Sequence, residues 1–309
     1  MGPELLSLGE PMLEFSQLPV SDDGNTLFLQ GYGGDSSNAA VAAARQGARA
    51  GTITALGEDG AGEALFALWR EEGVDATGVK RDPAHPTGVY FITHDAGGHR
   101  FFYLRKDSAA AHFGPRDLSR ELITGAKILL ASGISLAISG SAADAVFAAI
   151  EIAQSAGARV AIDTNYRPAL WPPGRAAALI HTAIAKADIA LVSEEDARAL
   201  TGRETPEAIL DFYCGLGPQV VVLKRGKDGA ILATEEGRLR LAAPKVAAVD
   251  ATGAGDVFAG AFLARLLAGD PTAAAARYGV VAAALSTTGM GAVAPIPRAP
   301  QVCAALAAL

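Results

Sequence analysis

Short apolar runs alternate with Ala-rich amphipathic runs along most of the chain. The apolar runs contain few alternating polar positions, which is typical of parallel strands buried on both faces. They predict strands at residues 5–8, 51–55, 128–131, 160–163, 189–192 and 220–224. The runs between them predict helices at residues 36–46, 60–72, 141–155, 175–186, 194–200 and 206–213. This order predicts an α/β fold, with a mostly parallel central sheet and helices on both of its faces.

Two segments interrupt this order. Residues 11–32 show no helical pattern, and residues 87–106 have the pattern of a β-hairpin. In the hairpin, strands at 88–94 and 99–105 flank the turn Asp95-Ala96-Gly97-Gly98. We expect both segments to form a small β-sheet inserted into a single domain that spans the whole chain.

Side chains of the predicted hairpin divide between two faces, because they alternate along a strand with a period of two residues. Phe101, Tyr103 and Arg105 therefore share a face of the second strand, and Tyr90 and Ile92 share a face of the first. Tyr103 and Arg105 can reach one ligand from this position. Taken alone, Tyr103 has the pattern of an amphipathic packing residue, and Arg105 that of a solvated one.

The last third of the sequence has a different character. Strands are predicted at 230–233 and 239–242, and two Ala-rich helices at 254–267 and 272–285. The first of these helices follows the glycine-rich stretch Val249-Asp250-Ala251-Thr252-Gly253-Ala254-Gly255-Asp256. Glycines allow a backbone to approach a ligand closely, and the free N–H groups of a helix N-terminus bind anions. Asp256 could be a general base there, but local pattern alone favours interaction with the helix dipole.

Composition narrows the class of protein. The 309 residues are 50% hydrophobic and carry a net charge of −7, which permits a large core and disfavours a nucleic-acid binder. Cys214 and Cys303 have no metal-ligand spacing, and we expect reduced thiols. The sequence predicts a cytoplasmic protein that binds neither nucleic acid nor membrane, because it shows no signal peptide or long apolar span.

No metal ligand is predicted from the histidines. The five histidines contain no HxH or HxxxH spacing, so they are interpreted as surface or hairpin residues. They are His85, His94, His99, His112 and His181.

The stretch Asp250-Ala251-Thr252-Gly253-Ala254-Gly255-Asp256, opening a helix near the end of the chain, resembles the signature of the ribokinase-like (PfkB) carbohydrate kinases. The resemblance implies a three-layer α/β/α sandwich whose small β-sheet forms a lid over the sugar. It also implies that the amides of Gly253, Ala254 and Gly255 hold the transferring phosphoryl group, while Asp256 takes the proton of the attacking hydroxyl. Phosphoryl transfer needs this kind of charge stabilisation and alignment.

Other nucleotide-binding motifs are missing or misplaced. No GxxxxGK[ST] occurs. Gly289-Met290-Gly291-Ala292-Val293-Ala294 fits GxGxxA, but it lies at the end of the chain instead of after the first strand, which argues against a dinucleotide site.

The stretch Gly31-Tyr32-Gly33-Gly34-Asp35-Ser36-Ser37-Asn38 has two interpretations. Locally it predicts a turn and a helix capped by Asp35 or Ser36. By resemblance to the same family, Gly34, Asp35 and Asn38 lie at the sugar.

Within the family, the chain is most similar to the 2-keto-3-deoxygluconate kinases. The similarity lies in Gly33–Asp35, Phe102–Arg105, Ser132–Ala137, Asp163–Pro168 and Val222–Gly226. It implies that the acid sugar is bound by Tyr90, Tyr103, Arg105 and Arg167. Guanidinium groups bind carboxylates through paired hydrogen bonds, which agrees with this substrate. Arg167 could instead contact ATP or pair with a nearby acid.

The resemblance also implies an ATP cleft. Its residues would be Asn165, Arg167, Ser193, Lys224, Arg225, Gly226, Lys227 and Gly229. From pattern alone, the turn after residue 224 is a strand end with solvated charges. The family's Asn-x-x-Glu magnesium motif is replaced here by Ser193-Glu194-Glu195-Asp196, so we expect Mg²⁺ to arrive with the ATP phosphates. A K⁺ site near Asp250 and Gly289–Gly291 remains open.

Three functions are therefore compatible with the sequence. The first is phosphorylation of a sugar acid, and the second is a kinase of the same fold for fructose, ribose or a nucleoside. The third is a non-catalytic ligand-binding protein. The exposed edge of the small sheet further predicts a homo-oligomer.

Overall fold

The structure, a computed structural model, describes residues 2–19, 21, 23–95 and 98–309. From residue 94 to residue 99, both included, it describes no side chains. The strands are β1 (Leu5–Leu8), β2 (Met12–Gln17), β3 (Phe28–Gly33), β4 (Ala50–Gly57), β5 (Asp75–Asp82), β6 (Val89–Asp95), β7 (Gly98–Leu104), β8 (Ile128–Ser132), β9 (Arg159–Asp163), β10 (Ile189–Ser193), β11 (Val220–Lys224), β12 (Ala230–Thr234) and β13 (Gly237–Leu241). The helices are α1 (Asp35–Arg45), α2 (Gly60–Glu72), α3 (Arg120–Gly125), α4 (Gly133–Ala137), α5 (Gly140–Ser155), α6 (Pro173–Ile184), α7 (Glu194–Thr201), α8 (Pro206–Gly215), α9 (Ala254–Leu267), α10 (Thr272–Ser286) and α11 (Ala299–Ala307).

A nine-stranded sheet forms the body, in the order β13-β12-β11-β10-β9-β8-β1-β4-β5. All of its neighbouring pairs from β11 to β5 are parallel, and β12 and β13 join antiparallel at one edge. The predicted mostly parallel sheet is therefore confirmed. Its central strands are buried along nearly their whole length, which explains their unbroken apolar sequences.

Helices cover both faces of this sheet and create two cores. On one face, Ile150 of α5, Ile180 of α6 and Tyr213 of α8 are fully buried. On the other face, Trp69 of α2 and Phe262 of α9 are fully buried. The three-layer α/β/α arrangement predicted from the sequence follows from these two cores.

Helices α1 and α9 pack together closely on one face of the sheet. A Cβ on Gly260 of α9 would lie 2.2 Å from the carbonyl oxygen of Ala39 in α1. Only glycine permits this backbone approach. The contact brings the N-termini of the two helices to the same edge of the body.

A second sheet has the order β3-β2-β6-β7. Its register pairs Tyr90 with Tyr103 and Ile92 with Phe101, so the predicted division of the hairpin into two faces is confirmed. Ala96 and Gly97 of the predicted turn lie outside the described residues, as do Val20 and Asp22 of the first interrupting segment.

Some elements differ from prediction. Strand β5 was not predicted, because it is the edge strand and several of its positions are polar and partly exposed. Helix α11 and the short helices α3 and α4 were also missed. The predicted side-chain cap of α1 is wrong, since its N-cap is Gly34, without a side-chain hydrogen bond.

Among the described residues, none of the helices combines the length and the apolar composition that a membrane-spanning segment needs.

Candidate active site

The candidate site lies where the carboxyl ends of β8, β9 and β11 meet the N-termini of α1 and α9. Parallel strands bring residues at their carboxyl ends to one edge, which is where ligands of α/β sheets bind. Ser132, Asp163 and Lys224 are the last residues of these three strands. Asp35 and Asp256 lie in the first turns of the two helices.

The N-terminus of α9 is a backbone turn with a cation beside it. Gly253 is its N-cap, in the left-handed conformation with φ of 74° and no side-chain cap. A Cβ on Gly255 would lie 3.3 Å from Nζ of Lys224, so the lysine side chain reaches the turn. Free amides and an ammonium group together form a site suited to a phosphate.

Lys224 is held in place by Asp163. Its Nζ donates to Oδ2 of Asp163 over 2.5 Å, and both side chains are largely buried. Burial raises the pKa of Asp163, while the positive charge of Lys224 opposes that rise. This ion pair fixes the direction of the lysine toward α9.

Asp256 is held by two amides at the same point. Nδ2 of Asn38 donates to its Oδ2 over 2.9 Å, and Nδ2 of Asn165 donates to its Oδ1 over 3.3 Å. Burial, followed by the negative charge of Asp35, raises the pKa of Asp256 to about 7. A carboxyl group with this pKa can exchange protons near neutral pH.

Asn165 links three carboxylates. Its Nδ2 also donates to Oδ2 of Asp35 over 3.1 Å, and its backbone N–H donates to Oδ1 of Asp163 over 3.2 Å. Its φ is +29°, a conformation that other non-glycine residues of the described chain avoid. Such strain is concentrated at functional sites, where surrounding contacts maintain it. The predicted contact of Asn165 with a nucleotide stays a prediction.

One carboxylate oxygen and one amide oxygen buried in the site have no partner among the described residues. Oδ2 of Asp35 accepts hydrogen bonds from Ser132 and Asn165, but its Oδ1 has none. Oδ1 of Asn38 is also unpaired. Buried acceptors without donors are costly in a folded protein. A ligand with hydroxyl groups would satisfy them.

The glycine pair before α1 has a packing explanation that the sequence did not reveal. Gly34 has φ of +95°, and a Cβ there would lie 2.3 Å from the carbonyl oxygen of Glu10. A Cβ on Gly33 would lie 2.2 Å from the hydroxyl of Tyr90. Position 34 therefore requires glycine, and a side chain at position 33 would displace the ring of Tyr90.

The face of the second sheet that carries Tyr90 is turned toward the site. The Tyr90 hydroxyl donates to Glu14, and burial raises the pKa of both groups. Asp256 contributes to the rise for Tyr90. The Tyr103 ring lies beside Tyr90, with ring centroids 5.8 Å apart.

Arg105 has an acidic partner inside the protein. It forms an ion pair with Glu10, which is fully buried and also accepts a hydrogen bond of 2.5 Å from Ser108. The local interpretation of Arg105 as a solvated residue is therefore wrong. Contact with a substrate stays a prediction for Arg105.

Arg167 is exposed, and its guanidinium group donates a hydrogen bond to the carbonyl oxygen of Tyr166 over 3.1 Å. No aspartate or glutamate of the described residues lies within ion-pair distance of its guanidinium group, so the alternative of a nearby acidic partner is wrong. Its charge lowers the pKa values of Asp256 and Tyr103, against the larger effect of burial. Arg167 thus acts electrostatically on both the body and the second sheet.

The turn after β11 contains the other predicted ATP-binding residues. Arg225 forms an ion pair of 2.7 Å with Glu194, which corrects its interpretation as a solvated side chain. Gly226 and Lys227 are exposed. Gly229 is buried, with φ of +84°, and a Cβ there would lie 1.9 Å from the carbonyl oxygen of Leu241.

The stretch that replaces the magnesium motif is structurally ordered by its own hydrogen bonds. Ser193 caps α7 by accepting from the N–H of Asp196 over 3.4 Å. Oδ2 of Asp196 accepts from Oγ1 of Thr164 over 2.9 Å and from the N–H of Tyr166 over 3.1 Å. Among the described residues its Oδ1 accepts no hydrogen bond, which leaves one carboxylate oxygen for a cation.

Asp250 anchors the turn before α9. Its Oδ1 accepts from the N–H and the hydroxyl of Thr252, over 2.9 and 2.6 Å. Its Oδ2 accepts from the N–H of Gly291 over 2.9 Å. These bonds join the turn to the Gly289–Gly291 segment, where a K⁺ site stays a prediction.

Four residues of this region were not among the predicted site residues: Glu10, Glu14, Ser132 and Asp163. Ser132 and Asp163 could have been found, because each ends a buried parallel strand on the ligand-binding edge. Glu14 lies on β2, an inner strand of the second sheet, and faces Tyr90 of β6, a strand distant in sequence. Nothing local signals its position.

The arrangement of the two sheets defines a class of protein. A large, mostly parallel sheet between helices, with a smaller separate sheet, is the ribokinase-like fold. The chain also resembles the crystal structure of a fructokinase with bound ATP from Xylella fastidiosa. The TM-score is 0.89 at 26% identity, covering 98% of each chain.

The chain belongs to the pfkB family of carbohydrate kinases, whose sequence model matches residues 4–299. It is similar to the 2-dehydro-3-deoxygluconokinase of Thermoproteus tenax, with 36% identity over 91% of this chain and 87% of that one. It is also similar to the probable fructokinase-2 of Arabidopsis thaliana, with 33% identity over 99% and 95%. The chain is therefore an enzyme, a phosphotransferase that acts on a sugar hydroxyl.

Proposed function

We propose that the chain transfers the γ-phosphate of ATP to a hydroxyl of 2-keto-3-deoxygluconate, giving 2-keto-3-deoxy-6-phosphogluconate. The observation that carries this substrate is Arg167, an exposed guanidinium group near the site without an acidic partner in the described chain. A sugar acid supplies the missing carboxylate. The similarity to the Thermoproteus tenax enzyme supports the same choice.

In this proposal Asp256 is the general base. Its pKa of about 7 leaves it ionised in a large fraction of molecules at neutral pH, and Asn38 and Asn165 fix its direction. It accepts the proton of the terminal hydroxyl as that oxygen attacks the γ-phosphorus. The bond between that phosphorus and the bridging oxygen of ADP breaks, and ADP leaves.

The transferring phosphoryl group is held at the start of α9. The amides of Gly253, Ala254 and Gly255 donate to its oxygens, and Lys224 offsets part of the charge. The rest of the ATP cleft is lined, in this proposal, by the exposed turn at Gly226 and Lys227. Arg225 and Gly229 lie on either side of that turn. Ser193 and Asn165 border the phosphates from β10 and β9.

Mg²⁺ enters with ATP, because it retains several waters and binds phosphate oxygens. The free Oδ1 of Asp196 is the oxygen in the Ser193–Asp196 stretch that fits the ion, since Glu194 is engaged by Arg198 and Arg225. The ion would neutralise phosphate charge there.

The sugar lies between the body and the second sheet, which serves as its lid. Gly34, Asp35 and Asn38 approach it from α1, and the two unpaired oxygens of Asp35 and Asn38 accept its hydroxyl groups. Tyr90 and Tyr103 cover it from the other side. Arg105 is positioned behind Tyr103 through its pair with Glu10.

A fructose kinase is the second candidate. The observation in its favour is that Asp35 and Asn38 offer acceptors for hydroxyl groups, which a neutral sugar also satisfies. The Arabidopsis thaliana relative bears a fructokinase name at 33% identity.

A substrate panel with coupled ADP detection separates the candidates. We expect the purified enzyme to use 2-keto-3-deoxygluconate with a kcat/KM at least tenfold above that for fructose or ribose. Arg167→Ala should lower kcat/KM for the sugar acid by roughly 10- to 100-fold, as for a lost charged hydrogen bond. Use of fructose should change only a few-fold, and Arg116→Ala, a surface arginine elsewhere, should change neither. Equal losses for both sugars would assign Arg167 to ATP.

We further propose a homodimer through the outer face of the lid. Phe28, Phe102 and Leu104 lie on the face opposite Tyr90 and are exposed. A second copy of this chain offers the same apolar face and an unpaired strand edge, which makes a self-complementary contact. Light scattering should give twice the chain mass, and Phe102→Ser should shift it toward the monomer. A monomeric wild type would contradict the proposal.

A further inference from the structure

Two chain segments connect the second sheet to the body, and they meet outside the candidate active site. The first runs from the end of β5 at Asp82 to the start of β6 and contains His85. The second follows β7 and contains Asp107 and His112. The N–H of Ala109 in the second segment donates to the carbonyl oxygen of Pro86 in the first over 2.8 Å, so the two run side by side.

Three side chains from these segments converge. His85 and His112 stack with ring centroids 3.6 Å apart and an interplanar angle of 19°. Nε2 of His112 lies 2.6 Å from Oδ1 of Asp107. One potential ligand atom from each of His85, Asp107 and His112 lies within 4.8 Å of the others.

A fourth residue fixes the direction of His85. Oδ2 of Asp82 lies 3.1 Å from Nδ1 of His85. Its Oδ1 accepts backbone N–H groups of Ala84 and His85, over 2.8 and 3.2 Å, which holds the carboxylate still. A carboxylate bound to one ring nitrogen leaves the other, Nε2, with its lone pair available. Metal-binding histidines are commonly oriented in this way.

The donor set selects a chemical class of ion. Two imidazole nitrogens and one carboxylate oxygen bind borderline transition-metal dications such as Zn²⁺. Mg²⁺ and Ca²⁺ prefer oxygen donors alone. The partly exposed position leaves room for water as a further ligand.

We propose that His85, Asp107 and His112 bind one Zn²⁺-class ion at the base of the second sheet, with Asp82 orienting His85. The ion joins the incoming and outgoing segments of the sheet. Local sequence patterns do not reveal this site, because the ligands are separated by 22 and 5 positions and match no metal motif. The interpretation of His85 and His112 as surface or hairpin residues was based on the absence of metal-ligand spacing.

Binding should stabilise the folded chain, since the unfolded chain does not hold the three groups together. It should also restrict movement of the two connecting segments relative to each other. The site is separate from the proposed phosphoryl-transfer residues, so its test does not depend on their roles.

The experiment is a Zn²⁺ titration of the metal-free, full-length protein by calorimetry, repeated with Co²⁺ and visible spectroscopy. We expect the wild type to bind one ion that raises its melting temperature. Asp107→Asn and His112→Gln should each bind Zn²⁺ at least tenfold more weakly and lose the rise in melting temperature. The matched control is Asp144→Asn, which changes an exposed carboxylate in α5 and should behave as wild type.

Circular dichroism and kinase activity without added zinc confirm that the variants are folded. Zinc affinity that is equal in wild type, both ligand variants and the control would overturn the proposal. The absence of zinc binding by the wild type would also overturn it.

Discussion

Helices α1 and α9 begin in the same way but have different surroundings. Both start at a glycine with positive φ and no side-chain cap, and both carry an aspartate in the first turn. At α9, Lys224 lies beside the turn, and the backbone amides face a cationic environment. At α1, the neighbours of Asp35 are Ser132 and Asn165, and unpaired acceptor oxygens remain.

The difference shows that neighbouring strands determine what a helix N-terminus binds. A cation at the end of β11 makes the start of α9 suitable for phosphate. Polar acceptors at the ends of β8 and β9 make the start of α1 suitable for hydroxyl groups. Asn38 and Asn165 connect the two, since each donates to Asp256.

The largest expected effect is the loss of turnover when the carboxylate in the first turn of α9 is removed. Asp256→Asn should lower kcat by about a hundredfold or more, because it removes the general base, while ATP still binds. Coupled ADP release measures the rate, and equilibrium dialysis measures ATP binding. Asp144→Asn serves as a surface control. A kcat within tenfold of wild type would remove Asp256 from the proposed role.

A second test removes the cation that distinguishes α9 from α1. Lys224→Met should reduce kcat/KM for ATP by roughly 10- to 100-fold, the effect of losing a charged hydrogen bond. Because the substitution leaves Asp163 without its partner, Asp163→Asn/Lys224→Met tests whether the loss persists in a chain without that buried charge. Lys186→Met, at a distant helix end, should have no effect. Unchanged use of ATP in Lys224→Met would contradict a phosphate site at α9.

Replacing the two N-cap glycines by alanine should lower the stability of the fold by different amounts. Gly34→Ala places a Cβ 2.3 Å from a backbone oxygen, whereas the nearest atoms to a Cβ on Gly253 are 3.2 Å away. We expect Gly253→Ala to cost about 1–2 kcal/mol from φ alone, and Gly34→Ala to cost more. Gly47→Ala, with φ of +89° and open space, is the reference. Urea denaturation measures all three, and equal losses at residues 34 and 47 would show that α1 can shift.

The smallest expected effect is a change in melting temperature, because the ionised carboxylate of Asp256 destabilises the fold. Its pKa is raised to about 7 in the folded chain, so its ionisation destabilises the fold increasingly from about pH 4 to pH 7 and by a constant amount above that. Asp256→Asn should therefore melt about 2 °C or more above wild type at pH 8. The gap should narrow as the pH falls toward 5. A gap that widens on acidification would contradict a raised pKa for Asp256 in the folded chain.

The body of the fold followed from the sequence, because buried parallel strands produce apolar runs that the chain shows clearly. The predicted strand at residues 5–8 matches β1. Strand β5 escaped prediction, since an edge strand needs polar residues on its open side. The cap of α1 was wrongly predicted because Asp35 bonds to residues 97 and 130 positions away, which no local pattern records.

In the candidate site, too, local motifs were predictable from the sequence, whereas contacts between distant segments were not. Motifs identified Asp256, Asn38 and the glycines, which lie in contiguous stretches. The partners of Arg105 and Arg225 depend on contacts between segments distant in sequence. The stacking of His85 on His112 could not be predicted from the sequence either, because the fold alone brings the two segments together.

The pH dependence of kcat/KM for the sugar acid, at saturating Mg²⁺ and ATP, tests the central claim most directly. If Asp256 is the base, kcat/KM should be constant at high pH and fall tenfold per pH unit below an apparent pKa of about 7. A kcat/KM that stays constant from pH 8 to pH 5 would contradict the assignment of Asp256 as the group that accepts the proton.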